Sequence, residues 1–243
     1  MLMSNRTPKT WQELQNYVAY YFNCSGYEAI TPYKIKTVRG EVEVDVFVKI
    51  KDEIGDKVIC ECKYWDSPIP QEKVHAFRTV INDSGVSLGI IISKNGFQRG
   101  SYLAASNSNV KLLTWNEFLE SLFDKWFSFR RKQLLNIVKP LAVYTDIFDV
   151  PTEKFSKEQE KIYKNSLIEH TKVYMLGCSI NKNSIRKYNE LFQESIETYE
   201  EFFDKMAEKG KESVAFYEEF FSKFDICDSK FEFCIDLVSR VMK

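Results

Sequence analysis

Residues Glu41–Trp65 read E-V-E-V-D-V-F-V-K-I-K-D-E-I-G-D-K-V-I-C-E-C-K-Y-W. Side chains of a strand alternate between its two faces. Read as one strand, this run places Val42, Val44, Val46, Val48 and Ile50 on an apolar face. Glu43, Asp45, Phe47 and Lys49 fall on the other. After the polar turn K-D-E-I-G-D, the run V-I-C-E-C-K-Y sets Ile59, Glu61 and Lys63 on one face and Cys60 and Cys62 on the opposite one. Paired as a hairpin, the two runs bring an aspartate, a glutamate and a lysine to one end of a sheet.

Such a convergence has a chemical use. Two carboxylates suit a hard divalent cation such as Mg²⁺, which prefers oxygen ligands and keeps several waters. A cation held there makes water more acidic and so a better nucleophile. A neighbouring ammonium orients that water and offsets charge on a scissile phosphate.

These residues resemble the D-(x)n-E-x-K core of the PD-(D/E)xK nucleases, and among them the Mrr-like (type IV) restriction endonucleases; the matching positions are Asp45, Glu61 and Lys63. The likeness runs from about Trp11 to Trp115. W-Q-E-L-Q-N-Y-V-A-Y-Y-F with S-G-Y-E-A looks like the family's opening helix and Gly-Tyr turn. G-F-Q-x-G-x-x-x-A-A with V-K-L-L-T looks like the segment after the catalytic lysine. The resemblance implies a restriction-endonuclease-like α/β/α sandwich with a mixed central sheet, and hydrolysis of DNA with Mg²⁺ or Mn²⁺. Asp45, Glu61 and the main-chain carbonyl of Cys62 are then expected to ligate the metal, Lys63 to position water, and Glu13 to assist from the first helix. Two positions depart from the family. Val44 stands in place of the proline, and Glu61 where many Mrr-type enzymes carry glutamine; glutamate is the better metal ligand, so the second departure argues for activity.

Glu13 has an equally weighted structural reading. Thr10-Trp11-Gln12-Glu13 is also a capping-box pattern, in which the glutamate only satisfies the helix start. Gln98, Arg99 and Lys94, in the loop after the apolar run Gly85–Ser93, are expected DNA contacts. Lys36 and Arg39, in a small basic loop before Asp45, are further ones, although a solvated turn explains them as well. His75 lies in the helical run Gln71–Asn82 and is assigned a surface role. Pro32 interrupts the strand expected over Tyr27–Lys36 and favours an edge position.

Composition is consistent with this division of labour. The net charge of −1 carries no general nucleic-acid signal. Lys and Arg outnumber Asp and Glu by 19 to 17 up to Pro151, and are outnumbered 15 to 18 afterwards, which places a polyanion partner on the front part. No apolar run reaches the roughly 18 residues of a membrane span. The six cysteines show no zinc-type spacing, and free thiols suit a cytoplasmic protein.

Seven of the nine glycines lie at or before Gly100, so turns thin out in the second half. The expected organisation is a nuclease domain over 1–139, a linker over 140–154 between Pro140 and Pro151, and an all-α region over 155–243. There Ile185, Tyr188, Phe192, Ile196, Tyr199, Phe203 and Met206 recur at helical spacing, with Gly210 as the expected break. This region carries no catalytic motif, and a helical hairpin or bundle that packs on the nuclease, dimerises it or binds a protein partner is expected. Duplex cleavage needs two cuts, which a homodimer supplies. The alternatives are a catalytically silent nuclease fold that binds nucleic acid or protein, and an RNA nuclease.

Overall fold

Asp45 does not lie within a strand: it is the bend at which one strand ends and another begins. The computed structural model describes residues 2–50, 57–181 and 183–241. The turn expected over residues 51–56 lies outside them. In chain order the first part comprises α1 (Trp11–Asn23), β1 (Glu28–Ile30), β2 (Tyr33–Thr37), β3 (Gly40–Val44), β4 (Val46–Lys49), β5 (Lys57–Lys63), α2 (Gln71–Ser84), β6 (Leu88–Ser93), α3 (Arg99–Ala105), β7 (Val110–Thr114) and α4 (Trp115–Val138).

Five strands form one mixed sheet in the order β1-β4-β5-β6-β7, and β2 and β3 form a separate hairpin. The antiparallel β4–β5 pair sets Val46 opposite Cys60 and Phe47 opposite Ile59. The parallel β5–β6 pair sets Glu61 opposite Ile91 and Lys63 opposite Ser93. Parallel strands need a crossover, which α2 provides between β5 and β6 and α3 between β6 and β7. Pro32 divides the first expected strand, so that β1 takes the sheet edge while β2 leaves for the hairpin.

The single strand expected over Val42–Ile50 is thus corrected to two. Val42 is exposed, whereas Val46, Phe47 and Val48 are all buried, because β4 is covered on both faces. On one side Phe47, Ile59 and Ile91 pack with Val74, Phe77 and Ile81 of α2. On the other side lies α1, whose Phe22 meets Phe118 of α4 at 5.4 Å between ring centroids and whose Tyr21 meets Trp115 at 5.8 Å. The α/β/α sandwich with a mixed sheet is the observed fold.

The rest of the chain is helical: α5 (Leu141–Tyr144), α6 (Lys157–Cys178), α7 (Ser184–Phe192), α8 (Tyr199–Lys223) and α9 (Ser229–Val241), with a short 3-10 turn at Thr152–Lys154. The chain divides into two compact units, Arg6–Phe129 and Met1–Asn5 with Arg130–Lys243. The boundary therefore falls inside α4, not at 139. Residues 140–154 are no linker, since Leu141, Val143, Tyr144 and Val150 are buried within the helical unit. Residues 2 and 3 also belong there, with Leu2 O accepting from Tyr199 N at 3.1 Å and Met3 O from Glu200 N at 2.9 Å. The long apolar stripe is split between α7 and α8, and Thr198 caps the second with a capping box to Glu201. Gly210 does not break the helix. It sits inside α8 where an added Cβ would come within 3.0 Å of Ile137 and Val138, so close packing of α8 on α4 explains the glycine. No helix among the described residues is long and apolar enough to cross a membrane.

Candidate active site

The bend at Asp45 is where the site begins. Backbone groups of β5 alternate between its two neighbours: Lys63 O accepts from Lys94 N on the β6 side at 3.0 Å, so Cys62 faces the β4 side. The partner that would extend the ladder beyond Val46 has departed into β3, and the Asp45 side chain takes its place. Its Oδ2 accepts from Cys62 N at 2.7 Å. Both backbone groups of a strand residue point to the same edge, so the Cys62 carbonyl is directed toward Asp45 as well. From α1, Gln15 Nε2 donates to Asp45 Oδ1 at 2.6 Å.

Glu61 and Lys63 stand on one face of β5 at a spacing of two, and Lys63 Nζ donates to Glu61 Oε1 in a partly buried ion pair. Burial pushes the Asp45 carboxyl up from its ordinary 3.8 to about 6, and the negative charge of Glu61 adds to the rise. The Cys62 amide, Lys63 and Gln15 oppose it. Two carboxylates are thus held close enough to repel, with a single ammonium, that of Lys63, paired to one of them. Cys62 is buried, and desolvation foremost keeps its thiol protonated well above the ordinary thiol range. Its side chain lies on the face of β5 opposite Glu61 and Lys63, which leaves the Cys62 carbonyl as its usable donor.

The structure brings Asp45, Glu61, Lys63 and the Cys62 backbone together. It places Glu13 elsewhere. The Glu13 carboxylate accepts from Lys9 N at 2.7 Å and its own amide donates to Thr10 Oγ1 at 3.1 Å, so it fastens the start of α1 and the expected catalytic role is not met. Gln15 is the side chain of α1 that reaches the site. Its signal was in the periodicity: Gln15, Val18 and Phe22 share one helical face, the one turned to the sheet, and Glu13 does not lie on it.

Around this centre the loops after β5 and β6 are tied together. Ile69 N donates to Gly96 O, Gln98 N to Ile69 O, and the buried Ser101 Oγ to Ile69 O at 2.6 Å. Lys94 lies 4.4 Å above the Tyr64 ring and pairs with Asp66 at 2.6 Å. Gln98 and Arg99 are exposed at the start of α3. Trp65 is also exposed, with Lys63 and Lys73 over its ring at 5.6 and 5.9 Å, a feature the sequence reading passed over. Lys36 and Arg39 lie on the β2–β3 hairpin, and Arg39 is engaged by Asp83 of α2 at 2.9 Å. A cleft of about 170 Å³ has Leu14, Tyr64, Lys94 and Trp115 in its walls and is lined by none of Asp45, Glu61 or Lys63.

The donor set fits a hard divalent cation. It offers two carboxylates and a carbonyl, all oxygen, beside an ammonium. No group of three or more His, Cys, Asp or Glu able to hold a metal occurs among the described residues, so water and phosphate oxygens would complete the shell.

Residues 8–122 match the Mrr_cat family, described as "Restriction endonuclease". No curated protein matches the chain. A crystal structure of a protein of unknown function, AF1548, is similar with 16% identity and a TM-score of 0.41, covering 88% of this chain and 100% of that one. The match over residues 8–122 is consistent with an Mrr-like restriction-endonuclease domain of the PD-(D/E)xK kind.

Proposed function

We propose that this nuclease domain hydrolyses phosphodiester bonds of DNA, using a divalent cation, Mg²⁺ or Mn²⁺, held by Asp45, Glu61 and the Cys62 carbonyl. The observation that carries the reading is the meeting of Asp45, Glu61 and Lys63 at the kink between β3 and β4. When bound, the cation supplies Lewis acidity, drawing charge from the phosphate oxygens and acidifying water. Lys63 orients the attacking water and offsets charge developing on the phosphate. Water adds to phosphorus, the bond to the leaving oxygen breaks, and that oxygen takes up a proton.

Lys94, Gln98 and Arg99 line the approach from the β6 side and serve as phosphate contacts. Lys36 and Arg39 extend the basic surface along the hairpin. Cutting both strands calls for two sites, and a two-fold homodimer supplies them. The family match supports a role in restriction or anti-phage defence, and six free cysteines suit a reducing cytoplasm. The helical unit, rich in exposed apolar side chains such as Ile168 and Met175, is assigned to a protein partner.

A second reading has its own observation. Lys63 is paired directly with Glu61, which is also how a silent nuclease fold retained for nucleic-acid or protein binding would rest. Plasmid nicking separates the two. Wild-type protein is expected to nick DNA with Mg²⁺ or Mn²⁺, and Asp45→Ala and Lys63→Ala to lose about 10²-fold or more, as removal of transition-state stabilisers does. Absence of cleavage of DNA under every divalent ion would leave the binding module, and cleavage of RNA alone would change the substrate.

A further inference from the structure

The amide of Gln15 occupies the point at which α1 reaches the metal-binding carboxylates. It donates to Asp45 Oδ1 at 2.6 Å, while Cys62 N holds Oδ2 at 2.7 Å. A carboxylate has roughly four lone-pair sites, so these two bonds fix the Asp45 plane from both ends and leave each oxygen able to bind a cation. An amide does this without adding charge. Two carboxylates and one ammonium give the cluster a formal net charge of one negative. One divalent cation reverses that sign, and a second would enter an already positive site without a further anionic ligand. A carboxylate at position 15 would have been a third, within reach of Asp45.

We propose that Gln15 is a positioning residue for Asp45, and that as a neutral side chain it limits the substrate-free site to a single divalent cation. This rests on the nuclease reading of the same site, and it concerns how many ions the site takes and what orients its first ligand.

Calorimetric titration of the full chain with Ca²⁺, as a binding probe, tests it independently of cleavage. Wild type is expected to bind one ion. Gln15→Met, nearly isosteric but without a donor, is expected to bind one ion about 10-fold more weakly or worse, the usual cost of losing a group that orients a metal ligand. Gln15→Glu is expected to bind two. Far-UV circular dichroism checks that each variant is folded, and Gln15→Asn, an amide too short to reach Asp45, replaces Gln15→Met if that variant is not. Two ions in wild type, wild-type affinity in Gln15→Met or Gln15→Asn, or a single ion in Gln15→Glu would each overturn the proposal while leaving a wild type that nicks DNA as a nuclease. A wild type that binds no divalent ion and nicks no plasmid removes both readings together.

Discussion

The amide nitrogen of Cys62 lies 2.7 Å from Asp45 Oδ2, so the carboxylate caps the β5 backbone at the place where the strand ladder stops. Val46 still pairs with Cys60, but Val44 has turned away to pair with Tyr33 in the hairpin. The bend thus frees two backbone groups of Cys62 from the sheet and supplies a side chain to one of them. Placing a charged group there has a cost. The Asp45 carboxyl is partly buried and sits beside Glu61, and both effects push its pKa up to about 6.

That elevation predicts a pH dependence with a definite sign. The ordinary value is 3.8 and the folded one about 6, so the folded protein binds a proton more readily than the unfolded chain. The contribution to stability is full below about pH 4 and is lost as pH rises through about 6. Metal-free Asp45→Asn is therefore expected to melt higher than wild type near pH 7, with the difference closing toward about pH 4. Metal binding requires the ionised form, so divalent-ion affinity and cleavage should fall as pH drops below about 6. Calorimetric melting of both proteins without metal across this range checks the first part, and an unchanged gap would refute the assignment.

Glu13→Gln separates capping from catalysis. Its carboxylate accepts from Lys9 N at the helix start, where losing a cap costs about 0.5–2 kcal/mol. The glutamine retains an acceptor oxygen, so a loss at the lower end is expected, seen as a fall of a few degrees in melting temperature. Cleavage should stay within about two-fold of wild type, because the group touches none of Asp45, Glu61 or Lys63. A loss comparable to that of Lys63→Ala would return Glu13 to the reaction.

The contrast between Glu13 and Gln15 shows where sequence pattern reaches its limit. Period-two alternation in Lys57–Lys63 was enough to put Glu61 and Lys63 on one face, and the strand–helix alternation through Thr114 was enough for the sandwich. The break at Asp45 was not legible, since alternating valines continue through it. What bends the chain is the demand of β2 for a partner, a tertiary effect that overrides local preference. Similarly, Thr10 with Glu13 satisfies half of a local rule, the glutamate reaching Lys9 N instead of Thr10 N, whereas the contact of Gln15 with Asp45 spans thirty residues. In the second half the pattern identified helices but not their ends. Gly210 looked like a break because glycine is costly in a helix, but close contact with Ile137 and Val138 outweighs that cost.

Gly89 gives a test of the sheet–helix packing that supports the site. A Cβ built there would come 2.1 Å from Ile81 Cδ1 and 2.6 Å from Phe77 Cε1, both in the buried cluster of α2. Both side chains are buried, so Gly89→Ala is an overpacking change and should destabilise by about 1–3 kcal/mol. Gly85→Ala would also cost stability, but through backbone strain at φ +66 with nothing within 4 Å of the added carbon. Shortening Ile81 to Val in the Gly89→Ala background should therefore recover part of the loss, and the same shortening should not help Gly85→Ala. Chemical denaturation of the wild type, Ile81→Val and these four variants reads this directly, and additive losses in both backgrounds would exclude the steric cause.

Lys94 is the cation best placed to act on substrate without touching the reaction. Its backbone is joined to Lys63 through the 3.0 Å bond to Lys63 O, which sets it one strand away from the site. Its ammonium is shared between Asp66 at 2.6 Å and the face of Tyr64. Both charged groups are exposed, so the pair itself contributes little to stability. A phosphate has to compete with Asp66 for the same ammonium. Lys94→Ala is accordingly expected to weaken duplex binding and to lower the slope of log affinity against log salt by about one, the signature of one lost phosphate contact. Asp66→Asn should act in the opposite direction, raising affinity by leaving Lys94 unpaired. Arg39→Ala, on the hairpin and with its guanidinium held by Asp83 of α2, should change the slope less than Lys94→Ala. Anisotropy titrations of a labelled duplex between about 50 and 200 mM salt, without divalent ions to prevent cutting, resolve the three variants. An unchanged slope for Lys94→Ala, or weaker binding by Asp66→Asn, would show that nucleic acid approaches the site from another side.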